Sequence, residues 1–265
     1  MSADRGDDMA AGTMADTMAD AIPAATLVVA RPGSGAPELL VMKRAAHMAF
    51  AASALVFPGG RIDAGDYELA DRVGGAIDDA AARIAAIRET LEETGIAVGF
   101  AEPLDEATIA ALRAALTSGD PLCDLLDRFG LSLALDALTP FARWCPNMRE
   151  TRRFDTFFYL AEAPADAPAP QADGTEAVGS YWASAAHVIA ECDAGRGRII
   201  FPTRRNLERL AQFSSIEEAR ADALRRGVHK VQPWVEEREG KQWLCIPEDI
   251  GYPVTAELLE TAKRG

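Results

Sequence analysis

Arg88-Glu89-Thr90-Leu91-Glu92-Glu93-Thr94-Gly95-Ile96 is the stretch of this chain on which its fold turns. Over residues 78–94, Ile84, Ile87 and Leu91 recur at three- and four-residue spacing while charged residues take another side, which predicts an amphipathic helix. Gly95 predicts its stop. A helix advances about 100° per residue, so Glu89 and Glu93 stand about 40° apart, with Glu92 about 60° from Glu89 on its other side. Three carboxylates therefore crowd one face. Like charges at that spacing destabilise an isolated helix and ask for a compensating cation. Hard divalent ions such as Mg2+ or Mn2+ prefer oxygen ligands, and Mg2+ readily recruits phosphate oxygens of a substrate. The bare Glu-x-x-Glu-Glu pattern also describes a solvated acidic helix face, as charge runs usually are, so the surrounding sequence has to decide.

Outward from the helix, residues 24–30 and 38–43 are apolar, partly β-branched runs joined by a Pro/Gly/Ser segment, the pattern of two strands. Phe57-Pro58-Gly59-Gly60 ends an apolar approach in a glycine pair suited to a tight turn. A separate helical region is predicted over 104–138, with Ile109, Leu112 and Leu116 periodic, then Leu122, Leu125, Leu126 and Phe129 after a Gly119-Asp120-Pro121 break. Strand character returns over 153–160 and 178–182, separated by a Pro/Ala loop at 163–170. Helices are expected near 185–191, 204–213 and 216–226, and a last hairpin pairs 230–235 with 242–246 across Glu237 to Gly240. Trp144, Phe154, Phe157 and Trp182 are expected in the core or a pocket wall.

The bulk composition narrows the classes. A chain of 265 residues that is 49% hydrophobic can bury a sizeable core. A formal net charge of −14 argues against holding nucleic acid through its phosphates, which needs clustered Lys and Arg. A small anion remains compatible, because a metal or a local Arg cluster can reverse the field inside one pocket. Cys123, Cys145, Cys192 and Cys245 form no CxxC or Cys/His ligand spacing and are expected as free thiols. Residues 1–22 read as a disordered acidic tail, carrying Asp where a secretory or mitochondrial signal would carry positive charge. No stretch approaches the roughly 18 apolar residues that span a bilayer, so the expectation is a cytoplasmic protein with no membrane partner.

The longer string around the helix resembles a known family. Residues 88–96 match the back half of the Nudix box, Arg-Glu-U-x-Glu-Glu-x-Gly-U with U apolar or small, and Phe57-Pro58-Gly59-Gly60 resembles that family's preceding strand-to-loop turn. The front half departs from Gly-x5-Glu-x7-Arg-Glu. Gly60 is followed six positions later by Asp66 in place of Glu, and Arg88 follows Asp66 by 22 positions where eight are usual. An insertion of about 14 residues, roughly 67–80, is therefore expected in the loop of the loop-helix motif.

The resemblance implies a Nudix α/β/α sandwich over residues 23–265, a mixed β-sheet between helices, with a helical insertion at about 104–138 and C-terminal helices and a hairpin at about 199–265. It implies Glu89, Glu92 and Glu93 as ligands of Mg2+ or Mn2+, with the Gly59 carbonyl adding an oxygen and one of the carboxylates serving as base. Arg88 would orient the carboxylates, for which an i, i+4 pairing with Glu92 is geometrically available. Glu176, ahead of Tyr181-Trp182, matches the late acid of many relatives. The reaction implied is in-line attack of water on one phosphorus of a diphosphate, with the metal acidifying the water and neutralising charge. Arg149, Arg152 and Arg153 are candidate substrate-binding residues, a solvated basic edge being the alternative. His47 is expected to be structural.

The insertion in the box, the helical insertion before Arg152-Arg153-Phe154-Asp155-Thr156-Phe157-Phe158, and a helical 201–210 resemble the peroxisomal acyl-coenzyme A diphosphatase branch of the family. That branch cleaves coenzyme A or its thioesters to phosphopantetheine products and adenosine 3',5'-bisphosphate. The helical insertion is then expected to shape the acyl or pantetheine side of the pocket. Two other readings stand beside this one: an ADP-ribose, NADH or nucleotide-sugar pyrophosphatase, and a non-catalytic Nudix-fold binding or regulatory domain. A pure binder has no need of clustered charge at Glu89, Glu92 and Glu93. The partner expected is a small nucleotide derivative, and a homodimer is left open.

Overall fold

The structure, a computed structural model, describes residues 21–48, 51–146 and 153–262. The chain opens with β1 (Ile22–Arg31), buried along most of its length, and β2 (Glu38–Arg44), which pairs antiparallel with the end of β1 only, at Ala30 and Arg31. After β3 (Leu55–Val56), the short β4 (Gly59–Arg61) pairs instead with the beginning of β1, over Ala24 to Thr26. β1 and β2 thus part company midway, and the sheet splits.

Two helices follow. α1 (Ala64–Val73) begins with a capping box in which Asp63 and Asp66 satisfy each other's backbone N–H, and α2 (Ile77–Thr94) carries the acidic string. The expected loop insertion at 67–80 is therefore largely helical: only residues 74–76, opened by Gly74 at φ 84° and Gly75 at φ 100°, connect the two helices. In α2, Ile84, Ile87 and Leu91 are fully buried, and each such side chain contributes about 1.5–3 kcal/mol by leaving water. Four alanines, Ala81, Ala82, Ala85 and Ala86, are also fully buried there and let the helix sit close to its neighbours. Thr90 and Thr94 are buried as well, each hydroxyl donating to the carbonyl four residues back, so neither leaves a polar atom unsatisfied. Gly95 ends the helix in the left-handed conformation, its N–H on Leu91.

α3 (Glu106–Thr117) and α4 (Leu122–Phe129) form the second helical region, burying Leu112, Leu116, Leu122, Leu125 and Leu126 in the α1–α2 core. β5 (Thr139–Trp144), which the sequence reading did not anticipate, pairs antiparallel with β6 (Phe154–Glu162), and β6 runs parallel to β1. β7 (Ala177–Ser184) lies antiparallel along β2. α5 (Ala185–Asp193), α6 (Phe201–Leu210) and α7 (Ile216–Arg226) fall where the sequence places helices, α6 matching the helical 201–210 and starting three residues before the 204–213 periodicity.

The final hairpin needs correcting. β8 (Lys230–Val231) leaves it to pair parallel with β5, and the hairpin proper is β9 (Trp234–Arg238) with β10 (Lys241–Cys245), turning at Glu239 and Gly240. Pro233 lies between β8 and β9, where a ladder donor is missing. β11 (Ala256–Leu258) and α8 (Leu259–Ala262) complete the described chain.

The result is an eight-stranded mixed sheet of order β3-β2-β1-β6-β5-β8, with β4 on β1 and β7 on β2, and helices on both faces. Along β1, Ala25, Leu27 and Val29 face α1 to α4, while Val28 and Ala30 face α5 to α7, the two-residue alternation of a strand buried on both sides. This is the α/β/α sandwich expected. The proposed tail, residues 1–22, lies outside the described residues except for its last two, the second of which already opens β1. Among the described residues no helix is long and apolar enough to cross a membrane. Their cysteines are all free thiols.

Candidate functional site

The split between β1 and β2 opens a cleft of about 490 Å3. Its lining includes Ala24 and Thr26 of β1, Arg44 at the end of β2, Gly59 and Gly60 of β4, Glu89 of α2, and Glu176 just ahead of β7. Helix α2 therefore brings Glu89 to the cleft from one layer. Trp144, Phe158, Ile200, Pro202 and Thr203 line the cleft from the other layer.

At the acidic end, Gly59 donates its N–H to Glu93 Oε2 at 2.9 Å, binding β4 to the helix. Gly60 lies so close to Glu89 that a Cβ built there would stand 2.4 Å from Glu89 Oε1. Arg88 is the hub: Nε and Nη2 reach Asp66 Oδ1 and Oδ2 at 3.0 and 2.8 Å, Nη1 reaches Glu89 Oε1 at 2.8 Å, and Nη2 also reaches the Arg61 carbonyl at 3.1 Å. The expected Arg88–Glu92 pairing gives way to this set. Asp66 is only 2% exposed, so the residue at the front-half acid position is a buried, bidentate anchor for Arg88.

The charges here are poorly compensated. Burial pushes the Glu89 carboxyl up to about 7, outweighing the neighbouring Arg88. Burial raises Glu93 well above the ordinary range, helped by repulsion from Glu89 and opposed by the Gly59 N–H. Glu92 is raised by burial, with Glu176 and Asp173 adding to the effect against Arg88. Arg88 is held in the charged form by Asp66 and Glu89 despite its burial. An all-oxygen donor set, desolvated and mutually repelling, suits a hard divalent cation. Among the described residues no three such side chains form a ligand group, Glu89 being turned to Arg88 and Glu93 to Gly59.

Of the other residues singled out from sequence, Glu176 reaches the cleft, its carboxylate 3.6 Å from Arg44 Nη2. Arg153 lines the cleft, whereas Arg149 and Arg152 lie outside the described residues. His47 is exposed. Trp144 and Phe154 line the cleft, and Phe157 and Trp182 pack in the opposite core. The helical insertion does not take part: no lining residue comes from 104–138.

Three residues were missed. Arg44 has a buried Nε with no hydrogen-bond partner among the described atoms. Asp173 accepts from the Glu176 and Ala177 N–H groups at 2.9 and 2.8 Å and so shapes the turn that presents Glu176. Arg113 on α3 donates to the Glu92 and Glu93 carbonyls at 2.8 and 3.2 Å, capping the end of α2. Only Arg44 carried a sequence signal, closing with Lys43 an apolar strand ahead of the Phe57-Pro58-Gly59-Gly60 turn.

Among solved structures, the chain is similar to a Nudix hydrolase from Alicyclobacillus acidocaldarius, at 30% identity and a TM-score of 0.68, over 77% of this chain and 97% of that one. The chain belongs to the Nudix hydrolase family. Among curated proteins, this Nudix chain is 26% identical to the acyl-coenzyme A diphosphatase NUDT19 of Gallus gallus, over 75% of its own length and 67% of the relative's. It is 27% identical to the putative nudix hydrolase 7 of Caenorhabditis elegans over 66% of its length, spanning 56% of that protein. No family sequence model matches the chain. Nudix hydrolases act on phosphoric anhydride bonds, and the cleft is the Nudix chain's candidate for that chemistry.

Proposed function

We propose that the protein hydrolyses the diphosphate linkage of a nucleoside diphosphate derivative, coenzyme A or acyl-coenzyme A, with Mg2+ or Mn2+. The observation that carries this reading is the cleft that Glu89, Gly59, Arg44 and Glu176 line together, with Glu93 held to Gly59 and Glu92 on the same helical turn. The choice of substrate leans on the chicken relative's name together with the insertion pattern of the sequence.

In this reading the three glutamates and the Gly59 carbonyl would hold the ion, which when bound would supply charge neutralisation on the diphosphate and lower the pKa of water. Arg88 positions Glu89 through the anchor at Asp66. Arg44 and Arg153 line the cleft as donors to phosphate oxygens, with Arg149 and Arg152 assigned to the same task. Proton acceptance from water is assigned to Glu176, the cleft-lining carboxylate that does not come from α2 or the 59–66 segment. Glu176→Gln is then expected to lower kcat by about a hundredfold or more, read from initial rates at saturating substrate. Residues 23–265 act as one Nudix unit, with 104–138 bracing the helix that carries the ligands.

The deciding experiment is a screen of purified protein, with Mg2+ and with Mn2+, against coenzyme A, acyl-coenzyme A, NADH, ADP-ribose and nucleoside triphosphates, recording product masses. Phosphopantetheine release is expected. Turnover confined to ADP-ribose or NADH would replace the substrate assignment, and binding without turnover of any compound would make the chain a silent Nudix domain.

A further inference from the structure

The cleft has two unlike ends. Besides its carboxylates, the cleft is lined by a wall of carbon from Trp144, Pro146, Phe158, Ile200 and Pro202, with Arg153 in the same lining. Trp144 is 1% exposed, and its one polar atom is turned away: Nε1–H donates to the Tyr252 hydroxyl at 3.0 Å and lies 3.4 Å from Asn206 Oδ1, inside the protein. The Tyr252 hydroxyl in turn donates to Asn206 Oδ1 at 3.0 Å. Phe201 and Tyr252 meet the indole edge-on, with centroids 6.0 and 5.6 Å away and planes at 82° and 81°, so the ring is clamped from two directions. What the cleft meets on this side is apolar surface, bordered by the hydroxyls of Thr156 and Thr203.

A diphosphate held at the acidic end places its next few atoms against this wall. A sugar there would bury ring hydroxyls against carbon, and a polar group buried without a partner costs stability. A branched aliphatic group would gain by leaving water. We infer that the Trp144 wall, positioned by Tyr252 and Asn206, is the specificity-determining surface of this enzyme, and that it selects a substrate whose non-nucleoside arm carries branched aliphatic carbon immediately beyond the diphosphate. The pantoate arm of coenzyme A has this chemistry, with a dimethyl carbon one methylene from the phosphate oxygen, where ADP-ribose has a hydroxylated ring. The inference rests on the diphosphatase reading above and assigns the recognition to the C-terminal layer.

Dephospho-coenzyme A and ADP-ribose share their ADP half and differ only in this arm, so their ratio of kcat/KM reads the wall directly. The wild-type protein should prefer dephospho-coenzyme A by about tenfold or more. Ile200→Ser removes wall carbon at the N-cap of α6, where Ser is a favourable capping residue, and should reduce that ratio by about tenfold, chiefly through KM. Tyr252→Phe should shift the ratio the same way by a smaller factor, with its Tm close to that of the wild type. A ratio near one in the wild type, or a ratio unmoved by Ile200→Ser and Tyr252→Phe, overturns the inference. Should the wild type hydrolyse neither compound, the diphosphatase reading fails, and calorimetric binding of the same two ligands in Mg2+ judges the wall: loss of preference in Ile200→Ser upholds it, equal affinities in the wild type overturn it.

Discussion

Asp66 and Arg88 stand 22 residues apart in the chain and meet through two parallel hydrogen bonds, Oδ1 to Nε at 3.0 Å and Oδ2 to Nη2 at 2.8 Å. The same guanidinium then reaches Glu89. A residue outside the acidic string thereby sets the geometry of one of its carboxylates.

Asp66→Asn should remove the buried bidentate partner of Arg88, leaving Glu89 and Asp63 as its charged contacts, and loosen the hold on Glu89. Partners that orient a ligating group are typically worth about 10- to 100-fold in activity, and breaking a buried ion pair costs about 3–5 kcal/mol. Turnover should fall by about tenfold or more with a lower Tm, and Asp66→Glu should recover part of both. Wild-type turnover in Asp66→Asn would remove the positioning role.

Gly60→Ala separates geometry from stability. The backbone of Gly60 is outside the left-handed region, so Ala is tolerated there, but its Cβ would meet Glu89 Oε1. A side chain displaced by about 1 Å can lose about a hundredfold in rate. Kinetics should show that loss while thermal melting changes little; a full-rate Gly60→Ala enzyme would mean that Glu89 is not held where the reaction needs it.

Glu93→Gln keeps a hydrogen-bond acceptor for the Gly59 N–H and removes a charge that burial disfavours. In EDTA its Tm should equal or exceed that of the wild type. With Mg2+ its turnover should fall by about a hundredfold or more, since a lost ligand removes several kcal/mol of charge stabilisation. Glu92→Gln should lose rate similarly. Near-normal rates in both variants would refute the ligand assignment.

Protonation makes a further prediction. The Glu89 carboxyl is raised in the folded protein to about 7 from 4.5, so between those values the native state binds the proton more tightly than the unfolded chain. Stability of the metal-free protein should accordingly fall as pH rises through that window. Mg2+ binds the ionised form and should raise Tm more at pH 8 than at pH 5.5, which scanning calorimetry with and without EDTA measures. An equal Mg2+ effect at both values would contradict it.

The acidic helix was legible because everything that forms it is local. Ile84, Ile87 and Leu91 repeat with the helix, Gly95 stops it, and three glutamates fall on one turn. The sandwich was implied by the resemblance of residues 88–96 and 57–60 to the Nudix box, and the strand and helix patterns agreed with it. The Asp66–Arg88 pair was hidden because residues 67–80 read as loop, while their helical fold is what returns Asp66 to the site. β5 escaped because Pro140 and Arg143 interrupt its apolar pattern, and its strand form depends on being paired by β6 and β8. Arg113 gave no sign of capping α2, since that contact bridges two helices that only tertiary packing brings together. The expected role of 104–138 in the pocket failed for the same reason: periodicity says which face is buried and is silent about the neighbour.

The parting of β1 from β2 has a consequence for how such a protein changes over time. The acidic turn hangs on one helical layer and the carbon wall on the other, with separate hydrophobic interiors behind them. Substitutions that reshape the wall act on packing that the acidic turn does not share. Descendants of this chain can therefore trade one diphosphate compound for another while inheriting the hydrolytic apparatus intact.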